Sequence, residues 1–261
     1  MCHPPKMSRA TDRNRWCAPP RVLRLRGVVF TIPMSLTVAF AISACENVAV
    51  YTQPTAVRVI DASYIAPAAN FVVDGQLLAA NIGSGTITPY GTLKSNSAAT
   101  IDMSSAAGNA PLLNASGPLL AGNQYSIFVS DSVGTITAYV MTVLQDQQMP
   151  APAGRADFRF LNQAEQTGGV DIYMVPNGTA VPNAVPLIVN LSVGGPVSYV
   201  SFPAQTTTMI VTPTGLTTPA FTSTPIQLIG GEARTVLIMD SKLTSNPPVT
   251  VTMADDAGPA D

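Results

Sequence analysis

Arg58 and Arg159 sit in two look-alike segments, AVRVIDAS (56–63) and DFRFLNQA (157–164), each amid apolar neighbours. Four aspartates recur in the same way. Asp131 and Asp240 close one pair of apolar segments, and Asp146 and Asp255 close the pair that follows. Such groups can hold Ca²⁺, act as an acid pair in glycoside hydrolysis, or pair with cations and cap turns. A calcium loop packs several aspartates around a glycine, and no such run accompanies these. A glycosidase pair faces itself across a cleft, and nothing in the spacing marks two of these acids as doing so. Turn caps at strand ends are therefore expected, with Ala254–Asp256 frayed beside the C-terminus. Val57 and Val59 alternate with Arg58, so the arginines are expected to point away from the core and pair with a cross-strand acid; a partner-binding arginine is the alternative. Tyr64, Tyr90 and Tyr199 suit either a carbohydrate platform or strand-end rings with wet hydroxyls.

Other catalytic groups are missing from most of the chain. The single histidine is His3, and the cysteines are Cys2, Cys17 and Cys45. Beyond residue 45 there is neither imidazole nor thiol, which excludes Ser-His-Asp and Cys-His machinery and His/Cys zinc sites there. No glycine-rich loop carries the lysine of a phosphate cradle, and GSGT (83–86) reads as a turn. No catalytic residue, metal site or cofactor is assigned.

Cys45 belongs to a different chemistry. The head RVLRLRGVVFTIPMSLTVAFAISAC (21–45) has a positive start (Arg21, Arg24, Arg26), an apolar run from Val28 to Ile42, and small residues before the cysteine. This is secretory signal architecture, and its end resembles the lipobox of bacterial lipoproteins. The resemblance implies cleavage before Cys45 and a diacylglycerol on its sulfur. The apolar run, about 15 residues, is short for a membrane span of roughly 20. Glu46, where an aspartate would favour inner-membrane retention, points to the outer membrane. The expected partner is thus the membrane, through lipid on Cys45.

Composition points to the elements that carry these residues. The chain is 261 residues long, 46% hydrophobic and only 11% charged, with 19 Gly and 23 Pro. Short strands joined by turns suit that mixture; long helices do not. Seven basic residues precede Cys45 against one acid, whereas six basic residues and fourteen acids follow from there, a net −8. An acidic body of this kind excludes phosphate-backbone binding, so no nucleic-acid partner is expected.

Past a tether over residues 45–55 the pattern is strand-like, and it repeats. VDIYMVPNG (170–178) echoes NFVVDG (70–75), whose Asp-Gly signals a hairpin. PIQLIGGEARTVLIMD (225–240) echoes GPLLAGNQYSIFVSD (117–131), and PPVTVTMADD (247–256) echoes TAYVMTVLQD (137–146). The first match has an offset of 101 (Arg58 to Arg159). The later ones have 109 (Gly122 to Gly231, Asp146 to Asp255), so one connection is about eight residues longer in the second copy. The expected fold is all-β: two tandem immunoglobulin-like sandwiches, at 56–149 and 155–261, after a head at 1–44, with PAPAG (150–154) as linker.

VRVIDASYIAPAANFVVDG (57–75), followed by PLLAGNQYSIFVSD (118–131), resembles domain-of-unknown-function family 4397. That family consists of extracellular β-sandwich modules, often duplicated and often in bacterial lipoproteins. Asp61 replaces the family's usual histidine, and Tyr64-Ile65 interrupts its Ser-Pro-Asp. The resemblance implies a cell-envelope protein with no assigned chemistry. The function expected is non-catalytic binding or structure. The alternatives are an adhesin-like module for polysaccharide or surface protein, and a carboxylate-dependent glycan hydrolase.

Overall fold

The computed structural model describes residues 53–132, 138–147, 149–195, 198–241 and 248–257. Cys45, the head at 1–44, Cys2 and Cys17 lie outside the described residues. The valines, isoleucines and threonines that dominate the body build strands, as β-branched side chains pack well on a pleated surface. The first nine are β1 (Thr55–Asp61), β2 (Ala69–Val73), β3 (Gln76–Ile82), β4 (Thr86–Ile87), β5 (Gly91–Leu93), β6 (Asn96–Ser105), β7 (Pro111–Leu119), β8 (Gln124–Asp131) and β9 (Tyr139–Gln145). They form two sheets, ordered β4-β1-β8-β9, with β5 also on β1, and β3-β2-β6-β7. Between them lies a core of Val57, Val59, Phe71, Ile101, Met103 and Ile127.

The second set repeats the plan: β10 (Arg155–Gln163), β11 (Val170–Val175), β12 (Ile188–Leu191), β13 (Tyr199–Pro203), β14 (Thr206–Pro213), β15 (Phe221–Thr222), β16 (Ile226–Gln227), β17 (Ala233–Asp240) and β18 (Val249–Ala257). Their sheets run β13-β10-β17-β18 and β12-β11-β14-β15, with β16 on β14. Phe158, Phe160, Ile172, Met209, Val236 and Ile238 fill the space between. In both sets the opening strand pairs in parallel with the late central strand, β1 with β8 and β10 with β17. The other pairings are antiparallel. The architecture is all-β and of β-sandwich type.

The Asp-Gly hairpin forms where expected. Asp74 (φ +48°) and Gly75 (φ +79°) make the turn between β2 and β3, the left-handed pair that a two-residue hairpin of type I′ requires. In the second set β11 and β12 are joined instead by residues 176–187, and this is the extra length that the change of offset signalled. The segment makes a short 3₁₀ turn, Val181–Asn183, and lays Val181 and Ala184 over Tyr173, Val175 and Ile210.

β1 and β10 are not the half-buried strands their alternation suggests. Nearly every residue in each is buried. The reason is that the β4-β1-β8-β9 sheet and the β13-β10-β17-β18 sheet pack outer face to outer face. Ile60, Ala62 and Phe128 from one meet Leu161, Leu237 and Met239 from the other. Strands covered on both sides lose the polar face that alternation otherwise leaves to water.

Candidate functional site

The richest cluster of charged and hydroxyl groups lies inside this seam, on the outward face of each opening strand. Register places Arg58 of β1 beside Ser126 of β8 and Arg159 of β10 beside Thr235 of β17. Tyr199 stands opposite Arg159 at the start of β13, and Tyr90 has the corresponding place just before β5. Asp146 follows β9, and Asp256 lies in β18. Both arginines are 1% exposed.

The bonds cross between the sets reciprocally. Arg58 pairs with Asp256 through Nη2, and Arg159 Nη2 lies 2.7 Å from Asp146 Oδ1. Each carboxylate is also held by its own set. Asp146 Oδ2 accepts from Ser126 Oγ at 2.6 Å and from the Tyr90 hydroxyl at 2.7 Å. Asp256 Oδ2 accepts from Thr235 Oγ1 at 2.7 Å and from the Tyr199 hydroxyl at 2.6 Å. The Arg58 guanidinium lies 4.7 Å over the Tyr90 ring and that of Arg159 lies 5.2 Å over Tyr199, a cation–π arrangement. When residue i of one half meets j of the other and the equivalent of i meets the equivalent of j, the interface is isologous, as in a two-fold dimer.

Electrostatics agree with this geometry. Burial pushes both tyrosine hydroxyls well above their ordinary pKa; the Asp146 charge adds to this for Tyr90, while for Tyr199 Arg159 opposes it and Asp256 adds to it. Burial works against the Arg159 charge, but Asp146, Tyr199 and Asp256 outweigh it, and its pKa is raised. Two guanidinium groups balance two carboxylates. A buried ion pair withstands desolvation better the more of its hydrogen-bond sites are filled; Ser126, Thr235 and the two hydroxyls fill sites on both carboxylates, while Asp146 Oδ1 faces the Arg159 charge. The cluster is sealed and neutral, with side chains of Arg58, Arg159, Asp146 and Asp256 all within 1% exposure. It offers a substrate no entry; what it can do is hold two sheets together.

The sequence expectations divide accordingly. Arg58 and Arg159 do point away from their own cores and do pair with acids; the closest acid of each belongs to the other set, and Arg58 also lies 3.7 Å from Asp146 of its own. Tyr90 and Tyr199 are neither a platform nor wet; they are part of the seam. Asp146 is in the cluster and Asp255 is not: its side chain is 74% exposed and pairs with Arg234 at 2.9 Å. The frayed end expected at Ala254–Asp256 is strand, and Asp256 is buried there. Ser126, Thr235 and Asp256 were missed. The structure gives the reason: the β17–β18 connection is one residue longer than the β8–β9 connection, which moves the counterpart of Asp146 from 255 to 256.

Asp131 and Asp240 cap turns, as expected. Asp131 takes the Ser63 hydroxyl and the Tyr64 amide; Asp240 takes the Gln166 and Thr167 amides at 2.6 and 3.0 Å and the Thr167 hydroxyl at 2.6 Å. No group of metal-ligating side chains occurs among the described residues, and among them no helix is long and apolar enough to cross a membrane.

No curated protein matches this sequence. Among solved structures, the chain is similar to a family 26 carbohydrate-binding module of Eubacterium rectale, crystallised with maltoheptaose. Identity is 12%, coverage is 77% of this chain and 96% of the module, and the TM-score is 0.24. A candidate cell-adhesion protein of Bacteroides fragilis matches at 13% identity over 80% of this chain and 99% of its own, with a TM-score of 0.18. The family profile described as "Domain of unknown function (DUF4397)" matches residues 55–173, from the first residue of β1 into β11. The opening motif and the Asp-Gly hairpin both fall within residues 55–173, the stretch that matches the DUF4397 family model.

Proposed function

We propose that this protein is a lipid-anchored component of a bacterial cell envelope, held at the outer membrane through Cys45, with a non-catalytic binding or structural role. In this reading residues 45–55 tether two immunoglobulin-like sandwiches, 56–149 and 155–261, joined at 150–154. The observation that carries the non-catalytic part is the seam. The densest collection of carboxylates, guanidinium groups and hydroxyls is spent on joining the two sheet pairs. The anchoring part rests on the lipobox-like ISAC (42–45). Acyl chains contribute roughly 0.8 kcal/mol per buried CH₂, so two or three of them hold a protein on a bilayer.

Metabolic labelling with a fatty-acid analogue, followed by membrane fractionation, tests this. The full chain labels and sediments with membranes, and Cys45→Ser abolishes both. Unchanged labelling and fractionation of Cys45→Ser would defeat the lipid anchor. Turnover of a glycan, lost on replacing one Asp or Glu, would defeat the non-catalytic role.

A further inference from the structure

The two sets agree at the arginine end of the seam and differ at its other end. Arg58, Ile60, Ser126 and Phe128 have counterparts of the same kind in Arg159, Leu161, Thr235 and Leu237. Where β1 and β17 end, away from the arginines, Asp131 and Asp240 still correspond but residues beside them do not. Tyr64 corresponds by offset to Glu165, and Met239 to Ser130. Tyr64 and Met239 line a cavity of about 330 Å³, with Ser84, Gly85, Asp240 and Thr250 around them. The cavity lies across the seam: Tyr64, Ser84 and Gly85 come from the first set, and Met239, Asp240 and Thr250 from the second.

Its lining has two chemistries. The half-buried Tyr64 ring and the Met239 thioether give apolar walls. Ser84 and Thr250 offer hydroxyls, and Asp240 offers a carboxylate. Three donors occupy Asp240, against about four acceptor positions on an ionised carboxylate, which leaves a place for one more hydroxyl donor. Asp131 also lies close enough to act on the Tyr64 hydroxyl, so the local charge disfavours an anion. Pockets of this size, between packed units and with a few convergent polar groups, are where small ligands bind.

We propose that this seam pocket binds one unit of a neutral saccharide, with the C–H face of the sugar on Tyr64 and Met239 and a hydroxyl donated to Asp240. The proposal rests on the binding role given above and names its ligand class. The pocket lies beyond the C-terminal end of β1, the opposite end from Thr55.

Saturation-transfer NMR tests it on the full-length, lipid-bearing chain in detergent, with glucose, galactose, N-acetylglucosamine and their β1,4-linked dimers as probes. At least one probe shows transfer at about 10 mM, with a dissociation constant near the millimolar range expected of a single-unit site. Thr250→Trp, on an exposed strand position, blocks the mouth and removes the signal. Tyr64→Ala weakens binding about tenfold or more. Thr100→Trp, exposed on β6 away from the pocket, leaves it unchanged. No transfer with any probe, or transfer that survives Thr250→Trp, overturns the proposal. Neither result bears on lipid labelling at Cys45, so its failure is distinguishable from failure of the anchor.

Discussion

Asp255 and Asp256 are neighbours in β18 with opposite surroundings: Asp255 pairs in register with Arg234, and Asp256 is the extra residue where the register shifts before Ala257. Asp255 reaches solvent and Arg234, whereas Asp256 is the counter-ion of the buried Arg58. Removing one partner of a buried pair strands the other charge, so Asp256→Asn is expected to cost about 3 kcal/mol or more. Asp255→Asn should cost under about 1 kcal/mol, as for an exposed pair. Urea unfolding of the two variants separates them; equal costs would contradict the register described. Tyr90 and Tyr199 give a pH signature. Their folded pKa values lie above the unfolded value of about 10. Below that pH both states keep the proton and the stabilisation is complete. Above it the unfolded chain ionises first, and stability falls as pH rises. Melting temperature should drop between about pH 10 and 11. A Tyr90→Phe/Tyr199→Phe double variant should melt lower at neutral pH but with a shallower alkaline fall; an equally steep fall would remove the tyrosines from the explanation.

At the scale of elements, the two sets differ most where β2–β3 is a tight hairpin and β11–β12 is not. The change of offset from 101 to 109 announced the extra residues, but not their work. They fold back and bury Tyr173, Val175 and Ile210. Val181, 6% exposed, is the residue of that cover within its 3₁₀ turn. A carboxylate forced into that apolar site is strongly disfavoured, so Val181→Asp should lift the cover and raise binding of the dye ANS. Unchanged ANS fluorescence would mean that residues 176–187 do not protect the sheet. Strand identity was largely legible, since alternation and turn residues report local geometry. Burial was less so: β1 and β10 read as half-buried strands and proved covered on both faces.

For the body as a whole, the closest carboxylate to each arginine lies on the other sheet pair, although Arg58 also lies 3.7 Å from Asp146 of its own. The two sheet pairs should therefore unfold together, in one calorimetric transition whose calorimetric and van't Hoff enthalpies agree. Two resolved transitions would show the seam to be weaker than its bonds imply. With no cysteine after residue 45, reductant should leave that transition unmoved, since no disulfide can form within the body.

The sequence by itself determined the strand-rich composition, the duplication, the single unequal connection, and the absence of imidazole and thiol beyond residue 45. These are properties of local periodicity and residue count, which need no knowledge of what lies across a face. Only the tertiary structure decided that Arg58 and Arg159 meet each other's aspartates, that Asp256 takes the place Asp255 resembled, and that Tyr90 and Tyr199 are half-buried with their hydroxyls on those aspartates. Alternation shows which way a side chain points from its own sheet. It reads the same whether the space beyond is water or a second sheet, and that difference is set by contacts between the two sheet pairs, such as that of Arg58 with Asp256, 198 positions away.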